Sequence, residues 1–112
     1  MTDADKIKIL AEKVMGWGMS DVHVGYWLCS EESPMWCRKE SSWDPIQSIE
    51  DAWSLLENLK EDLPVIYYAD GEWTCELFIH DKNIAFEKSA KTAPRAISEA
   101  ALEWVESRKE DT

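Results

Sequence analysis

Residues 64–86 read PVIYYADGEWTCELFIHDKNIAF, and this stretch decides the fold. Pro64 to Ala69 is rich in β-branched and aromatic residues and reads as a strand. Asp70-Gly71 supplies a two-residue hairpin turn, because both central positions of such a turn favour residues that tolerate positive φ. From Glu72 to His80 the side chains alternate. Trp73, Cys75, Leu77 and Ile79 fall on one face, and Glu72, Thr74, Glu76 and His80 on the other. Asp81-Lys82-Asn83 then turns into a short strand containing Ile84 and Phe86. The stretch is therefore a three-stranded antiparallel meander with one apolar and one polar face.

An apolar sheet face needs a cover, and the flanking segments supply amphipathic helices. Upstream, Asp44-Pro45 reads as a helix start, with Asp as cap and Pro at the first helical position. Ile49, Ala52, Trp53, Leu56 and Leu59 then line one face, and the helix stops before Pro64. Downstream, a helix begins near Thr92-Ala93-Pro94 and places Ala93, Ala96, Ile97, Ala100, Ala101, Trp104 and Val105 together. Its alanines allow close approach to the sheet. At the N-terminus, Asp3 to Trp17 carries Ile7, Leu10, Ala11, Val14 and Met15 at helical spacing, with Asp3 or Asp5 as cap and Gly16 and Gly18 marking the end. Two strands, Val22 to Cys29 and Met35 to Arg38, are joined by the polar run Ser30 to Pro34. The order α-β-β-α-β-β-β-α defines an α+β fold, a small antiparallel sheet layered between helices as one domain over residues 1–112.

Composition narrows the function. In 112 residues there are 45% hydrophobic and 11% aromatic residues, including seven Trp, which is ample for a packed core. Asp and Glu outnumber Lys and Arg 23 to 12, for a net charge of −11. A chain of that sign is repelled by phosphate backbones and anionic membranes. The start MTDADKIKIL lacks the pattern of a secretory signal, and no apolar run approaches a membrane span. Three cysteines are an odd set for a disulfide framework, so reduced thiols and a cytoplasmic location in the host cell are expected.

Three blocks are similar to a known family. Leu10-Ala11-Glu12-Lys13-Val14-Met15-Gly16-Trp17 resembles the opening of small phage and prophage proteins carrying the phage ABA sandwich domain. Trp43-Asp44-Pro45 followed by Ile49-Glu50-Asp51-Ala52-Trp53 resembles their central W-x-P…I-x-x-A-W helix start. Thr92-Ala93-Pro94-Arg95-Ala96-Ile97 leading into Ala100-Ala101-Leu102 resembles their closing helix. The blocks keep the family's order and span nearly the whole chain. The resemblance implies an α/β/α layered domain of phage origin and carries no catalytic residues over. Glu31 to Ser42, rich in Cys and charge, departs from the pattern.

Several constellations invite sharper chemistry. Cys29, Cys37, Cys75 and His80 are acceptable zinc ligands, but no C-x-x-C knuckle is present, and buried thiols acting as small hydrophobes are favoured. Cys29 or Cys75 with His23 or His80 would make a nucleophile–base pair, yet His80 and Cys75 have opposite parity on one strand and the surroundings are acidic. Paired carboxylates such as Glu50-Asp51 and Glu61-Asp62 read first as solvated helix surface. Residues 46–108 run in the order of a double-stranded RNA-binding domain, with Lys88, Lys91 and Arg95 near the last helix. Residues 46–87, however, hold two basic against ten acidic residues. That field opposes a polyanion.

Trp17, Trp53, Trp73 and Trp104 are expected in the core, whereas Trp27, Trp36 and Trp43 are candidates for partial exposure at a ligand or partner surface. The expected function is non-enzymatic, without cofactor or metal: a phage accessory protein that binds and blocks a host protein, such as a defence or nucleic-acid-processing factor. Acidic side chains would occupy its basic nucleic-acid-binding groove, and Trp residues would anchor the contact. The candidate residues are Glu50, Asp51, Glu57, Glu61, Asp62, Asp70, Glu72, Glu76, Trp27, Trp36 and Trp43. Direct nucleic-acid and membrane contact are not expected, and a homo-oligomer stays open. The alternative is a small-molecule protein that binds or sequesters nucleotides on its aromatic rings.

Overall fold

The computed structural model describes residues 2–19, 25–28, 37–59, 62–79 and 84–109. Helix α1 spans Asp3–Lys13, strands β1, β2 and β3 span Gly18–Met19, Tyr26–Leu28 and Cys37–Lys39, and helix α2 spans Ile49–Asn58. Strands β4, β5 and β6 follow at Val65–Ala69, Glu72–Ile79 and Ile84–Ala90, and helix α3 closes the order at Ala93–Lys109. The α+β class and the expected order hold, with β1 added as a two-residue strand. The strand expected from Val22 to Cys29 is described only as the shorter β2. Met35 and Trp36, at the start of the next expected strand, lie outside the described residues.

β4, β5 and β6 form the meander read from the sequence, with Ile66 opposite Cys75 and Leu77 opposite Phe86. The turn between β4 and β5 has φ +55° at Asp70 and +81° at Gly71, the double positive φ of a type I′ hairpin. Cys75 and Leu77 are fully buried against Ala96, Ile97, Ala100 and Ala101 of α3. Helix α3 lies across β5 and β6, with α2 and α1 packed beside it. The opposite sheet face, with Tyr67, Ala85, Glu87 and Ser89 exposed, is open among the described residues. Among the described residues the helices therefore cover one face of the sheet only, rather than enclosing it between helical layers as expected, because α1 and α2 pack on α3 and not on the opposite face.

Both upstream helices start differently from the sequence expectation. Thr2 caps α1 in a reciprocal box: its hydroxyl accepts from Asp5 N at 3.2 Å, and the Asp5 carboxylate accepts from Thr2 N at 3.2 Å. These bonds hold the Asp5 carboxyl below its ordinary pKa, the backbone bond from Thr2 being the larger cause. Asp44-Pro45 does not open α2. Asp44 instead closes a separate turn, its carboxylate accepting from Ile46 N at 3.1 Å, and Ser48 caps the helix by accepting from Asp51 N at 3.3 Å. Asp51 then reaches back to accept from Asp44 N at 2.9 Å, joining turn to helix.

Ser98 sits among the alanines of α3, fully buried, and donates to the Pro45 carbonyl at 2.8 Å. Removing that donor strands a buried acceptor. Ser98→Ala is expected to cost about 1–3 kcal/mol in urea unfolding. A loss below about 0.5 kcal/mol would mean another group satisfies the Pro45 carbonyl.

Candidate functional site

The apolar stripe of α2 sets the site. Asp51, Ala52, Leu55 and Leu56 are buried within the helix, and Leu59 just beyond it. On a 100° wheel this arc places Trp53 about 130° from its centre. The sequence reading put Trp53 in the core. The structure leaves it 50% exposed and Ile49 49% exposed. Asp51 and Leu55, both left out of the expected face, rotate the arc. Trp53 and Ile49 stand beside Ile66 and Trp73 of the sheet and Pro94 of α3, around a cleft of about 410 Å³. Its walls are almost wholly apolar, with Lys91 at the edge, and Tyr68 packs on Trp73 with ring centroids 5.3 Å apart.

The candidate acids do not form one patch. Glu50 and Glu57 are exposed on α2 about one turn to either side of Trp53, and Glu50 borders the surface next to it. Asp70 is exposed in the hairpin turn, and Glu72 lies 3.8 Å from the Lys91 ammonium. Glu76 points to the open sheet face, where it accepts from the Tyr67 hydroxyl at 3.4 Å and faces Glu87 across the strands. The Tyr67 hydroxyl is held above its ordinary pKa by desolvation first, then by the charges of Glu76 and Glu87. Asp62 accepts from the Trp104 indole N–H of α3 at 2.6 Å.

Three candidates need correction. Asp51 is buried and spent on the Asp44 amide, so it offers no charge to a partner. Trp27 and Trp43 are each 1% exposed. Trp43 packs edge-on against the partly buried Trp17 at 4.9 Å, and Trp27 and Trp43 both belong to the main core cluster. Glu61 and Trp36 lie outside the described residues, as do Cys29, His23 and His80. Among the described residues no three His, Cys, Asp or Glu side chains gather as a metal would require, and no helix is long and apolar enough to cross a membrane.

Cys75 is fully buried, and Lys88, opposite it on β6, is paired with Glu103 at 3.1 Å. Burial, and then the neighbouring Glu76, push its thiol up to about 11 from 9.0. At pH 8 its thiolate fraction is about a hundredfold below that of an ordinary thiol. Site-resolved alkylation should therefore be at least that much slower in the native protein than in denaturant. The unfolded chain ionises first, so the thiol's contribution to stability is fully present below pH 9 and is lost as pH rises toward 11. Cys75→Ala should remove roughly 2 kcal/mol of that alkaline decline. An unchanged slope would place the decline on other groups.

Comparisons with known proteins agree with this architecture. A crystal structure described as a phage protein from Bacillus cereus ATCC 14579 is similar to the chain, with a TM-score of 0.72 and 24% identity. The match covers 95% of this chain and 89% of that one, and at this identity it speaks for the fold alone. No curated protein matches the chain. The family model described as the phage ABA sandwich domain matches residues 8–102, taking in the second half of α1, α2, both sheets and α3 as far as Leu102. With most of its length and its entire meander inside that match, the chain belongs to the phage ABA sandwich domain family.

Proposed function

We propose that the chain is a non-enzymatic phage or prophage accessory protein that binds a host protein and blocks it by occupancy. The observation that carries this reading is Trp53. A half-exposed indole stands beside an apolar cleft, with carboxylates a turn above and a turn below it. Large exposed rings on an otherwise polar surface are the residues that dominate protein–protein contacts. Flanking Glu50 and Glu57 select a basic partner surface, such as the phosphate-binding groove of a defence or nucleic-acid-processing factor. The net charge of −11 speeds such an encounter and repels nucleic acid itself.

The small-molecule alternative finds less support, because the cleft walls offer few polar groups to orient a nucleotide and the surrounding field opposes its phosphates. The test is capture from bacterial lysate at low and high salt, with the wild type, Trp53→Ala, and the double variant Glu50→Gln/Glu57→Gln compared. A partner lost with Trp53→Ala, and held about tenfold less well by the double variant at low salt only, is expected. A partner held equally by all three would remove this surface from the function. A nucleotide released on denaturation, with no protein captured, would transfer the reading to a small ligand.

A further inference from the structure

We propose that the partner engages this surface by strand addition: an extended segment pairs with the outer edge of β4, terminal in its sheet among the described residues, with apolar residues toward the Trp53 cleft and basic residues toward the open sheet face. This rests on the partner-binding reading above and names the chemistry of the docked segment.

The edge supplies the first argument. In the sheet order β4-β5-β6, β4 is terminal, and its register with β5 runs from Val65 opposite Glu76 to Ala69 opposite Glu72 without a bulge. Exposed edges are ordinarily protected by charge, proline or a bulge. From Val65 to Ala69 there is none of these, although the protein carries 35 charged residues, the 12 basic and 23 acidic counted together. In a two-residue hairpin the residues flanking the turn form a hydrogen-bonded pair, here Ala69 and Glu72. Alternation then turns the N–H and C=O groups of Ile66 and Tyr68 toward the open edge. None of these has a backbone partner among the described residues.

The walls supply the second argument. Ile49 and Trp53 of α2 line the same cleft as Ile66 of β4, so a strand laid along β4 presents every second side chain to this 410 Å³ cleft. Its other side chains project over the sheet face that carries Tyr67, Glu76 and Glu87. Glu76 and Glu87 sit directly opposite each other on β5 and β6, a pairing that costs stability, and no cation is paired with either among the described residues. Lys or Arg on the added strand would relieve that repulsion. A second copy of the chain brings another −11 to the same place and is opposed by charge.

The probe is a capped heptapeptide of alternating Lys and Val, titrated into 15N-labelled protein. Two backbone-methylated forms, on the Lys or on the Val amides, and a Glu-for-Lys form serve as comparisons. Strand addition predicts shifts at the amides of residues 65–69 and at the Trp53 indole, with slowed hydrogen exchange at Ile66 and Tyr68. One methylated form should bind as the parent does and the other at least about tenfold more weakly, because only alternate amides face β4. The Glu form should also fall at least about tenfold. Equal binding by both methylated forms, or unchanged exchange at Ile66 and Tyr68, would overturn the strand geometry. A peptide-free dimer that already protects these amides would make a second copy the occupant. If capture from lysate depends on Trp53 while these amides stay unprotected, the docking surface stands and strand addition fails. If the peptide pairs with β4 while capture ignores Trp53, it is the blocking function that fails.

Discussion

Trp53→Ala is expected to weaken partner capture at least about thirtyfold while leaving the fold nearly untouched. Truncating an anchoring Trp commonly costs 2 kcal/mol or more of binding, which sets the size of the effect. The ring is half exposed and stands far from the centre of the buried arc of α2, so little core is lost with it. The melting temperature should move by no more than about 2 °C, since surface substitutions stay within roughly 0.5 kcal/mol. Titration of the purified partner by calorimetry, with a thermal melt of each variant, checks both halves. A large drop in melting temperature would show that Trp53 belongs to the core, and the binding loss would then say nothing about contact.

Trp43→Ala should produce the opposite pattern, a loss of about 3–5 kcal/mol in unfolding free energy. Trp43 is almost completely enclosed and packs edge-on against Trp17. Its indole N–H makes no hydrogen bond among the described residues. A buried donor without a partner costs about 1–3 kcal/mol, so Trp43→Phe removes a penalty together with part of the ring. That variant should lose under about 1.5 kcal/mol, the lost volume being offset by the relieved donor. Urea unfolding of the two variants decides it. Equal losses would mean that the N–H is satisfied after all and that Trp43 is held by polarity as well as packing.

The meander was legible because strand alternation, a two-residue turn and a buried apolar parity all agree over residues 64–86. The last helix was legible for a similar reason: its alanines repeat at helical spacing and meet Cys75 and Leu77. The start of α2 was misread because Asp-Pro is an equally good signal for a free-standing turn, and only the Ser48 cap and the Asp51 bond distinguish the two. The site was harder. Which Trp is exposed depends on the centre of a buried arc, and the arc of α2 takes in Asp51 and Leu55, neither of them in the expected face, which turns its centre away from Trp53. Trp27 and Trp43 looked peripheral because their segment is irregular, yet irregular backbone can still deliver side chains to a core. Charge composition identified acidity but not its distribution, which tertiary structure divides between α2, the hairpin and the open sheet face.

The central position of α3 bears on how the chain is made. α1, α2, β5 and β6 all pack against this helix, which follows every one of them in the sequence. A growing polypeptide therefore carries Leu10, Leu55 and Leu77 without their main cover until residues 93–109 have been added. Ribosomes extend chains at about 5–20 residues per second, so these seventeen residues represent roughly 1–3 s of exposure. Slow codons just ahead of Ala93 would lengthen the interval during which chaperones and proteases compete for the nascent chain.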